Sequence, residues 1–223
     1  MGSILTDCGI PYGITVSLKD YVSEGHYRAN PIQDIFETTD FVNGCEYVDF
    51  IENDMYNFCV VVENNGEKYL IFQLEAYPRK TVIEWFNSVM ETNPDKRAIV
   101  YTHSLLTETG EMYTQHSWTL TSKEWINIYL TYNTTIKSNM LNDGQPHEGD
   151  QLWYDALSLH DNLLCVVTSN AKAGKDIATK VYQNKNGYDV LTVVADLSSS
   201  YGTENNAFPI LMKISEDRGN TCT

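Results

Sequence analysis

Gln73-Leu74-Glu75-Ala76-Tyr77-Pro78, then a helical stretch through Trp85, then Ala98-Ile99-Val100-Tyr101-Thr102-His103-Ser104: this run decides the fold class of the chain. An apolar strand ends on a carboxylate, a helix follows, and a second apolar strand ends on Thr-His. Strand, helix and strand at this spacing predict a parallel pair joined by a right-handed crossover. In open α/β sheets, ligands bind in the crevice outside the carboxyl ends of the strands. Glu75 and His103 are therefore the first candidates for chemistry. Glu75 at a strand end could act as a general base. It could equally cap the next helix or pair with Arg79, and that structural role is the favoured one. His103 sits where a metal ligand or an acid/base group would sit.

The pattern extends in both directions. Asn57 to Glu63 reads as a strand, Asn64-Asn65-Gly66-Glu67 as a hairpin turn, and Lys68 to Glu75 as the returning strand. That strand is apolar on both faces and so is expected to be central. Arg79 to Glu91 is an amphipathic helix with Val82, Trp85, Phe86 and Val89 in one stripe. Arg97 to Tyr101 is the next strand. Thr121 starts a second helix to about Tyr132, with Glu124 placed for a capping box. A third helix, capped by Asp150, runs from Gln151 to Leu159. Leu163 to Thr168, Ile177 to Gln183, Asp189 to Ala195 and Phe208 to Ile214 complete the strands. Residues 104–120 and 135–148 read as loops. The expected architecture is α/β, a mixed sheet with flanking helices, in one domain over 57–215. Residues 1–56 form an irregular segment packed on it, with a candidate short helix from Ile32 to Phe41.

Composition narrows the function. The formal charge of −15 argues against nucleic-acid binding, which needs cations against phosphates. No run approaches the roughly 18 apolar residues of a membrane span, so a soluble chain is expected. The N-terminus lacks the basic start and apolar core of a signal peptide. The five cysteines, Cys8, Cys45, Cys59, Cys165 and Cys222, are odd in number and contain no Cys-x-x-Cys, so neither a disulfide framework nor a zinc knuckle is implied. Cys59 and Cys165 lie in apolar runs and are expected to be buried thiols, not nucleophiles. Ala173-Gly174-Lys175 lacks the upstream glycine and following hydroxyl of a phosphate-binding loop.

Several blocks, in their order, resemble the C-terminal half of the calcineurin-like metallophosphoesterases. They are Leu74-Glu75-Ala76-Tyr77-Pro78-Arg79 with Trp85 in the helix after it, the strand ending Thr102-His103-Ser104, and Gly149-Asp150-Gln151-Leu152-Trp153. The last leads into Asp161-Asn162-Leu163-Leu164-Cys165-Val166-Val167-Thr168-Ser169-Asn170. The resemblance spans roughly residues 56–215 and implies half of that family's sandwich. In the family, two metal ions held by Asp, His and Asn bind a phosphate ester and activate water as Lewis acids. On the resemblance, His103 is a metal ligand, and Asn170 is the one oxygen donor where the family places Gly-His-x-His.

This chain departs from the rest of that pattern. The Asp-x-His and Gly-Asp-x-x-Asp blocks have no counterpart. The nearest match to Gly-Asn-His-Asp/Glu is Cys8-Gly9-Ile10-Pro11-Tyr12-Gly13, where Ile10, Pro11 and Tyr12 cannot replace the ligands. Lys172 brings a positive charge where the family has a histidine. A lone imidazole does not hold a dinuclear centre. Three expectations follow, in this order. The first is a catalytically degenerate relative acting in binding or as part of a larger assembly, with no cofactor and with a protein or small-molecule ligand as partner. The second is a fragment or divergent member of a metal-dependent phosphoesterase. The third is a hydrolase whose site is rebuilt around His103, His116 and His147. Divalent metal ions belong to the last two.

Overall fold

The computed structural model describes residues 46–50, 56–76, 78–103, 105–107, 109–113, 147, 149–169 and 177–195. Seven strands form one mixed sheet: β1 (Glu46–Phe50), β2 (Phe58–Asn64), β3 (Glu67–Gln73), β4 (Arg97–Thr102), β5 (Leu163–Thr168), β6 (Ile177–Gln183) and β7 (Asp189–Ala195), in the order β1-β2-β3-β4-β5-β7-β6. The four central strands, β3, β4, β5 and β7, run parallel, and an antiparallel strand or pair flanks each side.

The β2–β3 turn forms for the reason its sequence gives. Asn65 at φ 53° and Gly66 at φ 81° both occupy the left-handed region, as a tight hairpin turn of the primed type requires. Helix α1 (Lys80–Thr92) links β3 to β4. It buries Val82, Ile83, Phe86, Val89 and Met90. Its stripe is therefore rotated slightly from the expected one, and Trp85 lies on the flank, its ring edge-on to Phe72 at 5.7 Å. Phe86 meets the same ring at 4.8 Å. Helix α2 (Gly149–Asp155) and a 3₁₀ turn (Leu157–Leu159) precede β5. The expected single helix from 151 to 159 is thus shorter, begins earlier and breaks at Ala156, whose backbone is not helical (φ −140°, ψ −73°).

Each parallel strand is added on the same side of its predecessor, and right-handed crossovers of such a series all fall on one face. The packing fits this. Leu70, Phe72, Leu74, Val100 and Val166 from the sheet share one cluster with Phe86 of α1, Trp153 of α2, Leu157 of the 3₁₀ turn, and Leu105 and Leu106 of the segment after β4. The opposite face carries a smaller apolar group: Ile99, Leu164 and Cys165, with Ile71, Tyr101, Val167, Leu191 and Val193 against them. Both expected buried thiols are fully enclosed and neither is in a disulfide, Cys59 on the helix-covered face and Cys165 on the other. Burial pushes the Cys59 thiol well above its ordinary pKa.

Strands β6 and β7 form an antiparallel hairpin. Its second strand, β7, inserts beside β5 in parallel register from Cys165↔Leu191 to Thr168↔Val194 and extends the central sheet. No helix among the described residues is long and apolar enough to cross a membrane. The expected helices at 32–41 and 121–132, the expected strand at 208–214, and the candidates His116 and Asn170 lie outside the described residues.

Candidate functional site

The carboxyl ends of β3, β4 and β5 lie side by side, and the residues just past them are Glu75, His103 and Ser169. Threonines fix this end of the sheet. Thr102 Oγ1 donates to the Glu75 carbonyl at 3.4 Å, and Thr168 Oγ1 donates to the His103 carbonyl at 2.7 Å. Each strand end is held by a hydroxyl from the next strand, the kind of local side-chain bond to backbone that sets loop exits.

Glu75 takes the structural role. Its side chain is fully buried. Oε1 accepts from both the backbone N–H and Nε of Arg79, each at 2.9 Å. Oε2 accepts from Asn57 Nδ2 at 3.1 Å, and Asn57 Oδ1 in turn accepts the Glu75 backbone N–H at 2.9 Å. Arg79 is the N-cap residue of α1 and has no cap bond from its own side chain, so the carboxylate reaches back to serve a backbone N–H at the helix start. One buried carboxylate thereby joins β2, β3 and α1. A carboxylate with its oxygens engaged in this way has little capacity left to take a proton from a substrate.

His103 is half-buried, and its Nδ1 lies 3.1 Å from Ser169 Oγ. The pair follows from register. Thr102 and Thr168 are directly paired between β4 and β5, so the residues after them emerge together. Ser169 is the neighbour of His103 that the sequence reading did not pair with it. The signal that could have found it is the match between Thr102-His103 and Thr168-Ser169 at the ends of two parallel strands.

The other candidate histidine is placed elsewhere. His147 Nε2 lies 3.3 Å from Asp155 Oδ2 at the far end of α2, and its backbone N–H donates to the Pro78 carbonyl at 2.9 Å. It staples the entry of α2 to the start of α1. The glycine of the Gly149-Asp150-Gln151-Leu152-Trp153 block also has a packing reason. Gly149 at φ +46° passes so close to Tyr113 that any Cβ would collide with its backbone carbonyl, which accepts the Asp150 N–H at 2.8 Å. Trp153 packs on Tyr182 at 5.6 Å. Asp150, expected as the cap, instead lies within the first turn of α2.

As a metal site the arrangement fits poorly. Among the described residues, no three His, Cys, Asp or Glu side chains are grouped to hold an ion. The described neighbour of His103 Nδ1, Ser169, brings a neutral hydroxyl, which is a weak donor for the ions that histidine and carboxylates share. Of the donors implied by the resemblance, His103 is described and Asn170 lies outside the described residues, and no metal-dependent step is derived.

No model of a known protein family matches the chain, and no curated protein matches it either.

Proposed function

We propose that this chain is a catalytically degenerate metallophosphoesterase-like domain that acts in binding, alone or as part of a larger assembly. The observation that carries this reading is the His103–Ser169 contact at 3.1 Å. It supports a strand-end site that keeps the histidine of the Thr-His strand while a serine stands where the resemblance expects the glycine of a ligand block. The sequence after it, Asn170-Ala171-Lys172, adds a cation to a position that would have to attract metal ions. The buried Glu75, committed to Asn57 and Arg79, supports the same reading, because it leaves the strand ends braced and not reactive.

Elemental analysis after incubation with manganese, iron and zinc, and removal of excess, tests it. No ion, or a trace, is expected. Two ions bound per chain would overturn it.

The retained Thr102-His103 strand end favours a second reading, a fragment or divergent member of a metal-dependent phosphoesterase acting on a phosphate ester. On that reading, His103→Ala abolishes any phosphodiesterase activity that the metal-loaded chain displays.

A further inference from the structure

The β6–β7 turn holds a reactive sequence under restraint. In an Asn-Gly step the glycine nitrogen can attack the preceding side-chain amide, because glycine has no Cβ to shield it. The chain has three such steps, Asn43-Gly44, Asn65-Gly66 and Asn186-Gly187. The last lies at the tip of the hairpin, and both residues are exposed to water. Yet both reacting groups are engaged. The Gly187 N–H donates to the Asn184 carbonyl at 3.0 Å. Asn186 Nδ2 donates to both oxygens of Asp161, at 2.9 and 3.1 Å. The Asn186 backbone N–H donates to Asn184 Oδ1 at 3.0 Å, and Asn184 Nδ2 donates to the same Asp161 Oδ1 at 2.8 Å. The Lys185 N–H donates to the Ser158 carbonyl at 2.9 Å. The turn is thus docked on the segment that enters β5, and Asp161 is the shared acceptor.

We propose that Asn186 is a site of spontaneous deamidation that Asp161 restrains, and that the conversion frees the turn from the segment entering β5. The Gly187 nitrogen attacks Asn186 Cγ. A nitrogen–Cγ bond forms, the Cγ–Nδ2 bond breaks, and Nδ2 leaves as ammonia with the proton that the Gly187 nitrogen gives up. Water then opens the cyclic imide at either carbonyl and leaves a carboxylate at residue 186, in an ordinary or a β-linked backbone. The turn opposes the first step in three ways. The nucleophile must release the Asn184 carbonyl, and the backbone must leave the turn conformation to bring nitrogen and carbon together. The leaving amide must release a charged acceptor, whose bonds are stronger than those between neutral groups. The attack also builds negative charge on Asn186 Oδ1, and the neighbouring carboxylate repels it. Once formed, the new carboxylate stands where the amide met Asp161. An attractive contact becomes a pair of like charges. The bonds of Asn184 to Asp161 and of Lys185 to Ser158 must then hold the turn against that repulsion.

The restraint is tested on the full chain, incubated at mildly alkaline pH and mapped by peptide mass spectrometry for acid and β-linked acid at residue 186. Asp161→Ala is expected to raise the rate at Asn186 about tenfold, the weight of one charge-assisted hydrogen bond. The peptides carrying Asn43 and Asn65 are expected to keep their rates. In urea, Asn186 is expected to react faster than in the folded chain, with or without Asp161. An unchanged rate in Asp161→Ala, an equal rise at Asn43 and Asn65, or a folded chain that reacts at Asn186 as fast as the unfolded one would each overturn the proposal. The last comparison needs no variant, so it holds even if Asp161→Ala does not fold. Release of the turn is read from Asn186→Asp against Asn186→Ser, which loses the amide without adding a charge. Asn186→Asp is expected to have the lower denaturation midpoint, and equal midpoints would overturn the release.

Discussion

The two ends of the central sheet use the same polar vocabulary for different purposes. At the amino end of the parallel strands, asparagines tie loops to loops. Asn162 Nδ2 donates to the carbonyls of Asn93 at 3.1 Å and Lys96 at 2.8 Å, which locks the α1–β4 link onto the start of β5. Asn184 Oδ1 accepts the backbone N–H groups of Asn186 and Tyr188, so the side chain builds the β6–β7 turn, and its Nδ2 holds Asp161 at 2.8 Å. His160 Nε2 pairs with Asn87 Oδ1 of α1 at 2.8 Å. At the carboxyl end, among the described residues, Glu75 and its partner Asn57 play such a part. The neighbouring strand ends are braced through threonine hydroxyls, and the imidazole and hydroxyl beyond them face each other at a half-open surface. The lesson is that a strand-end position does not by itself make a residue functional. Of the two candidates placed there, one is consumed by the fold and one is spared.

The comparison can be broken most directly at Glu75. Glu75→Ala leaves the Asn57 amide and the Arg79 guanidinium without their buried partner, and loss of one member of a buried pair costs about 3–5 kcal/mol. Chemical denaturation is expected to show a loss near the lower figure, because Arg79 is 20% exposed and can regain water. A loss below about 1 kcal/mol would place Glu75 with the spared residues. At the other end, Asn162→Ala and Asn184→Ala are each expected to cost about 1 kcal/mol, since part-buried backbone groups lose hydrogen bonds. The two effects should couple and not simply add, because Asn184 holds Asp161, the residue next to Asn162.

His160 sharpens the comparison through pH. Burial lowers its pKa from 6.5, against smaller raising effects from Glu91 and Asp161. The neutral ring is therefore the folded form, and the unfolded chain binds the proton more readily. Its contribution is fully present above the unfolded value of 6.5 and fades as pH falls below it toward the lower folded value. His160→Gln should flatten the slope of stability against pH in that window, measured as denaturation midpoints from pH 7.5 to 5. The smallest effect is expected from His103→Ala, which loses the Ser169 contact at a half-open surface and should move stability by less than about 1 kcal/mol. A larger loss would mean that the fold consumes this histidine as it does Glu75.

Much of the sheet was legible because its signals are local. Asn65-Gly66 states its own turn, and the apolar runs at 58–64, 67–73, 97–102 and 163–168 have the length of buried strands. At the helix start, Gly149 is required by an approach of Tyr113 that no local pattern reveals. The same limit hid the asparagine ties. Asn162 and Asn184 sit in stretches that read as ordinary turns, and their partners are 66–69 and 23 residues away. The role of Glu75 was legible as an alternative because its partner Arg79 is four residues on, within reach of any helix start. Ser169 was not, because its meaning depends on the register of β4 against β5, a property of two distant segments.

The two enclosed thiols give the molecule a pair of internal gauges. Cys59 faces the helix-covered layer and Cys165 the opposite one, and neither has measurable exposure. An alkylating reagent reaches each only when its own face of the sheet opens. Separate alkylation rates, resolved by peptide mass, would time the detachment of the helices from the sheet independently of events on the reverse face. If the two rates coincide under native conditions, both faces open as one cooperative unit; if Cys165 reacts first, the reverse face opens the more easily.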